Sequence, residues 1–134
     1  MEDIFVGQLM SSPVWAVGHD TAVRDAANTM IEQEIGSVVV VDDDNELEGI
    51  LTATDFISIV AEDEADPDAE VSAYMTADVV TTTADKPIDV VAETMVEHGF
   101  HHVPVVESDE GVVGMITTTD LTAYLSTVRT PNPQ

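Results

Sequence analysis

Two polar stretches carry the residue types of a binding site. Thr52-Ala53-Thr54-Asp55 and Thr117-Thr118-Thr119-Asp120 lie 65 residues apart, each directly after an apolar run opened by glycine, Gly49-Ile50-Leu51 and Gly114-Met115-Ile116. A threonine three residues ahead of a carboxylate, where a strand candidate hands over to a helix, is a capping box. The hydroxyl accepts from the third helical amide and the carboxylate accepts from the cap's own amide. That role alone accounts for both residues, at about 0.5–2 kcal/mol per cap. The same junction also suits a nucleoside phosphate. A helix N-terminus offers unpaired N–H groups and the positive end of the dipole to a phosphate, and threonine hydroxyls add donors. A carboxylate just inside the helix can accept from a ribose diol, as the acidic residue of dinucleotide sites does. No nucleophile, base and orienting group recur as a set, so the chain reads as a binding protein with no catalytic residue and no catalytic cofactor.

The elements around these stretches repeat as well. Shifted by 65 residues without a gap, Val6, Met10, Val14, Asp20, Met30, Val38 and Gly49 fall on Val71, Met75, Val79, Asp85, Met95, Val103 and Gly114. An internal repeat decides the architecture before any local pattern does. It divides the chain into halves 1–65 and 66–134, each marginal alone and expected to pack on the other. In each half a leading segment ends at Met10 or Met75, followed by a strand candidate, Val14–Val17 or Val79–Thr82. Asp20 or Asp85 then reads as a helix N-cap, with Pro87 tolerated in the first turn of the second copy. Val23, Ala26, Ala27, Met30 and Ile31 recur at helical spacing, as do Ile88, Val91, Ala92, Met95 and Val96; the methionines at this spacing are core filling. These helices are expected to end near Gly36 and Gly99. The β-branched runs Val38–Val41 and Val103–Val106 follow, then turns at 42–45 and 108–111, returning strands Glu48–Leu51 and Val113–Ile116, and helices from Ala53 to Val60 and Thr118 to Leu125. Each half is thus β-α-β-β-α. The acidic, Pro67-marked stretch Glu62–Asp68 reads as the linker; it lacks the oxygen spacing and central glycine of a Ca²⁺ loop.

Charge is extreme. Twenty-seven acidic residues face three basic ones, Arg24, Lys86 and Arg129, for a net charge of -24. A nucleic-acid partner is excluded, because no basic surface exists to displace its counterions. An apolar share of 44% argues against disorder and for a true core. At roughly 1 M salt the screening length falls to about 3 Å, which removes most carboxylate self-repulsion. The composition resembles that of proteins from salt-accumulating archaea. The acidic Met1-Glu2-Asp3 start does not fit a signal peptide, no apolar run is long enough to span a membrane, and a chain without cysteine needs no oxidising compartment; a cytoplasmic protein is expected. His98, His101 and His102 cluster in sequence, yet the first half has Gln33, Gly36 and Ser37 at those positions, so ordinary strand-entry structure is favoured over ligand contact by one of them, and both over a metal site. His19 is expected in an exposed turn, the Arg129–Gln134 tail frayed, and Trp15 in core or dimer-edge packing.

The methionines at 10 and 75, the aspartates at 20 and 85, the Met30 and Met95 helices, His102-Val103-Pro104-Val105-Val106 and the two Gly-x-x-Thr-x-x-Asp ends together resemble a tandem pair of cystathionine-β-synthase-type (CBS) domains, over residues 5 to about 126. The resemblance implies a mixed α/β (α+β) fold whose halves pack about a pseudo-two-fold axis through their sheets. It implies two clefts that take an adenosyl ligand such as AMP, S-adenosylmethionine or a related nucleotide. Carried over by position, Asp55 and Asp120 would hold ribose hydroxyls, and Thr52 and Thr117 would approach phosphate, with Thr54 and Thr119 in the same motif. Val14, Val79, Ser37, Val38, His102, Val103 and Pro104 would line the base, with Ile50 and Met115 below it. The module would regulate through conformation or an unidentified protein partner, as a homodimer joined through its helices. The alternative is a dimerisation or protein-interaction module without a nucleotide. Members often carry a basic residue in or near the Thr-x-x-Asp element; here Ala53-Thr54 and Thr118-Thr119 stand there, favouring a ligand of low negative charge over ATP. If one cleft is preferred, the histidines make it the second.

Overall fold

The computed structural model describes residues 4–12, 14–62 and 66–127. In chain order these form α1 (Val6–Leu9), β1 (Ala16–Gly18), α2 (Val23–Gln33), β2 (Ser37–Val41), β3 (Leu47–Thr52), α3 (Ala53–Ala61), a 3-10 turn (Val71–Ala73), α4 (Ile88–His98), β4 (His102–Glu107), β5 (Gly111–Thr117) and α5 (Thr118–Thr127). The expected mixed fold, with strands and helices in each repeat, is present. The tail from 129 and linker positions 63–65 lie outside the described residues.

The compact units do not coincide with the sequence halves 1–65 and 66–134. One unit comprises residues up to 12, 80–107 and from 113; the other comprises 14–79 and 108–112. Each therefore takes the leading segment of the opposite repeat. In the first, Val6 N donates to Lys86 O (2.9 Å), Gly7 N to Ala84 O (2.9 Å) and Ile88 N to Ile4 O (2.9 Å). In the second, the same positions of the other copy act: Val71 N donates to Thr21 O (2.8 Å), Ser72 N to His19 O (3.2 Å) and Val23 N to Ala69 O (2.8 Å).

These bonds also correct the expected helix caps. The N-caps are Ala22 and Pro87, not Asp20 and Asp85, and neither makes a side-chain cap bond. The first amides of α2 and α4 are met instead by main-chain carbonyls of the leading segments, so no cap side chain is needed. At the other end, Gly99 closes α4 as expected, with φ 70°. The cap of α2 is Glu34 rather than Gly36, held at φ 54° in the left-handed region that favours glycine.

The helical periodicity holds in part: Ile31 of α2 and Val96 of α4, expected on the same apolar faces, are 74% and 84% exposed. Val23, Ala26 and Met30 of α2 pack with Val38, Val40, Leu51, Ile59 and Val71 in one core. Val91 and Met95 of α4 pack with Val6, Val103, Val105 and Ile116 in the other. In the 14–79 unit, β1 runs parallel to β2, and β3 antiparallel to it, giving the sheet order β1-β2-β3. Among the described residues of the other unit, only β4 and β5 form a sheet. The expected strand Val79–Thr82 is reduced to one parallel bridge, Thr82 to Val105. The cause is Pro104. Its repeat mate Val39 donates its amide to Trp15 O at 3.1 Å, whereas proline has no N–H to give to the carbonyl of Val80.

Candidate functional site

Register brings the first set of site residues to one edge of one sheet. Ala16 pairs with Val39 in parallel, and Ser37 pairs with Thr52 antiparallel. The start of β1, the start of β2 and the β3–α3 junction therefore lie side by side, which gathers Val14, Ser37, Thr52, Thr54 and Asp55. Thr52 N donates to Asp55 Oδ2 at 2.8 Å, and Asp55 N donates to Thr52 Oγ1 at 3.3 Å. The second junction repeats this: Thr117 N donates to Asp120 Oδ2 at 2.9 Å and Asp120 N to Thr117 Oγ1 at 3.1 Å. Both capping boxes are complete, with one carboxylate oxygen of each aspartate engaged in the box.

The supply of free helix amides is smaller than the sequence suggests. Ala53 N donates to Gly36 O and Thr118 N to His101 O, both at 3.0 Å. With the third amide given to the threonine cap, the second, at Thr54 and Thr119, is the one between them. Both of these threonines are exposed. The Thr52 hydroxyl also donates its proton to Asp55 Oδ2 at 3.2 Å; Thr54 and Thr119 each carry an amide and a hydroxyl donor on one exposed residue and are better placed to meet an anionic group.

Several expected lining residues sit differently. Val38 and Val103 are wholly buried in the helix-facing cores, so their side chains do not line a ligand at the Thr-x-x-Asp junctions. Pro104, Ile50 and Met115 are also buried. Val79, the repeat mate of Val14, belongs by its contacts to the unit that carries Asp55, not to the one that carries Asp120. Trp15 is 49% exposed at the start of β1, which removes it from the core.

Sequence reasoning missed the leading segments as neighbours of the motif. Ile50 exchanges main-chain bonds with Thr76 at 3.0 and 2.9 Å, and Met115 exchanges them with Ser11 at 3.0 and 2.8 Å. The motif glycines explain this closeness. A Cβ on Gly49 would lie 2.6 Å from Met75 Sδ, and one on Gly114 would lie 2.5 Å from Met10 Sδ. The glycines themselves were the available signal.

His102 is half-buried beside the second junction. Burial, reinforced by His101, pushes its pKa below 6.5 against the opposing pull of Asp120. It is therefore neutral at neutral pH and supplies no countercharge. His98 Nδ1 lies 3.1 Å from Thr94 O and its ring stacks on Phe100. His19, in an exposed turn as expected, pairs with Glu48 at 3.1 Å. No three His, Asp or Glu side chains converge among the described residues.

The sequence profile of the CBS domain matches residues 6–62 and again 71–127. The chain belongs to the CBS-domain family. This CBS pair superposes on the crystal structure of the CBS domain pair of protein MJ0100 in complex with 5′-methylthioadenosine and S-adenosyl-L-methionine. The TM-score is 0.86 and the identity 27%, over 93% of this chain and 98% of that one. An uncharacterized 17.7 kDa protein of Acidianus ambivalens is 33% identical over 93% of this CBS pair and 75% of its own length. The L-aspartate semialdehyde sulfurtransferase of Methanosarcina acetivorans is 31% identical, but the match spans only 24% of that enzyme. Among the described residues, no helix of the CBS pair is long and apolar enough to cross a membrane.

Proposed function

We propose that this CBS pair is a non-catalytic regulatory sensor of a small adenosyl ligand. The observation that carries the reading is the duplicated Thr-x-Thr-Asp junction. Each copy fixes a carboxylate by its Oδ2 beside an exposed amide and hydroxyl, in a fold shared with a pair crystallised with two adenosyl compounds. Asp55 and Asp120 hold the ribose diols; Thr54 and Thr119 meet the polar substituent beyond the ribose.

The ligand carries little negative charge. His102 is neutral, Arg24 is paired to Asp68 at 3.3 Å, and the chain's field of -24 opposes a polyanion. S-adenosylmethionine, methylthioadenosine and AMP therefore bind ahead of ATP. The protein works in a salt-rich cytoplasm, where screening relieves its self-repulsion. Its exposed helix residues Ile57 (70%) and Val60 (80%) pack against a second copy in a homodimer, from which an unidentified protein partner is regulated.

A second reading rests on the caps themselves. Because both boxes are complete without a ligand, Thr and Asp at these positions are also explained by a dimerisation module that binds no nucleotide. A thermal-shift screen in molar KCl separates the two. A ligand at about 100 times its Kd adds about 2.7 kcal/mol to stability. The sensor reading expects a concentration-dependent rise with S-adenosylmethionine, methylthioadenosine or AMP and a smaller one with ATP. A flat response to all four supports the second reading.

A further inference from the structure

The second repeat contains a hollow away from the Thr-x-x-Asp junctions. Because Pro104 cannot complete the parallel ladder, Thr81–Thr83 do not form the strand that Ala16–Gly18 form in the first repeat. A cavity of about 200 Å³ opens between this segment and α4. Its buried apolar floor is Val91 and Val103, and its polar groups are Lys86 and the threonines, including Thr94 of α4. The first repeat lacks this lining: Ala16, Val17, Gly18 and Thr21 stand where Thr81, Thr82, Thr83 and Lys86 stand in the second.

Three features specify what would fill it. Lys86 is the chain's only lysine, and among the described residues no carboxylate pairs with it, although 27 acidic residues are present. Its ammonium is available to an incoming carboxylate. Thr94 Oγ1 donates to Val90 O at 3.1 Å, and the Thr83 hydroxyl donates to Asp85. Both hydroxyl oxygens have committed their protons and offer only lone pairs, so they call for a ligand that donates. The valine floor calls for a short aliphatic group. The volume equals the liquid share of about seven waters, too small for a nucleoside and the size of a small amino acid.

We propose that this cavity binds a short aliphatic α-amino acid, its carboxylate on Lys86, its ammonium on the threonine oxygens and its side chain on Val91 and Val103. Two effector classes then act on one module, and the amino-acid site is independent of the adenosyl reading. The test is a methyl NMR titration with valine, and with isovalerate, which keeps the carboxylate and the branched chain but lacks the ammonium. Saturable shifts are expected at Val91, Val103 and Thr94 with valine. Binding should weaken at least about tenfold (about 1.4 kcal/mol) for isovalerate, for Lys86→Met and for Thr94→Val. The proposal is overturned if valine gives no saturable shift at these methyls, if isovalerate binds as tightly, or if Lys86→Met binds valine like the parent.

Discussion

Replacing Asp120 by asparagine separates the structural role of the junction from its binding role. Asparagine keeps an oxygen where Oδ2 accepts from Thr117 N at 2.9 Å, so the capping box survives. What is lost is the negative charge at the N-terminus of α5, worth about 0.3–1 kcal/mol. For a chain of 134 residues that corresponds to a fall in Tm of about 1–4 °C. Molar KCl is essential, since at low salt removing one carboxylate from a chain of -24 also relieves long-range repulsion. Ligand binding should respond more strongly. A hydrogen bond to a charged acceptor contributes about 1.5–3 kcal/mol, so Asp120→Asn should weaken S-adenosylmethionine at that junction by about 10- to 100-fold. Thr117→Ala is the counterpart: it removes the hydroxyl that accepts from Asp120 N at 3.1 Å and keeps the carboxylate. It should cost about 0.5–2 kcal/mol of stability and little affinity. Melting curves with parallel calorimetric titrations read both quantities. If the two variants lose stability alike and neither loses affinity, Asp120 is a cap and nothing more.

Gly49→Ala and Gly114→Ala should each destabilise by about 1–3 kcal/mol, because the new Cβ meets Met75 Sδ at 2.6 Å or Met10 Sδ at 2.5 Å; urea unfolding with an unchanged m value checks this. Glu34→Gly should raise stability by about 0.5–1 kcal/mol, since it relieves a left-handed residue at φ 54°. Gly99→Ala should lower stability by a similar amount, with no new steric contact at φ 70°. For His102, the folded pKa lies below the unfolded 6.5. The unfolded state then binds more protons as pH falls through 6.5 towards the folded value, and the native state loses stability across that window. His19 has a raised pKa and acts in the opposite sense. The difference between parent and His102→Asn stability curves isolates His102, and a difference independent of pH between 5 and 8 would refute its assignment as a neutral, half-buried imidazole.

What was legible in the sequence was what local pattern encodes. Val23, Ala26 and Met30 placed the core face of α2, Val91 and Met95 that of α4, and Thr52 and Thr117 marked the starts of α3 and α5. The caps of α2 and α4 were not legible, because their amides are met by carbonyls of Ala69 and Ile4, far away in sequence. The exchange of leading segments is hidden by the repeat itself. Met10 on Gly114 and Met75 on Gly49 are the same chemistry as Met10 on Gly49 and Met75 on Gly114, so similar halves do not specify which copy a segment joins. The loss of the second parallel strand was written in Pro104 against Val39, but only the observed bond from Val39 to Trp15 shows which donor the proline removes.

The most direct test of the sensor reading is an isothermal titration in molar KCl of the parent chain and of the Asp55→Asn, Asp120→Asn double variant with S-adenosylmethionine and with ATP. Saturable binding of S-adenosylmethionine to the parent is expected, with weaker binding of ATP and a loss of at least about tenfold in the variant while it remains folded. Equal binding by parent and variant, or tighter binding of ATP than of S-adenosylmethionine, would contradict the sensor reading.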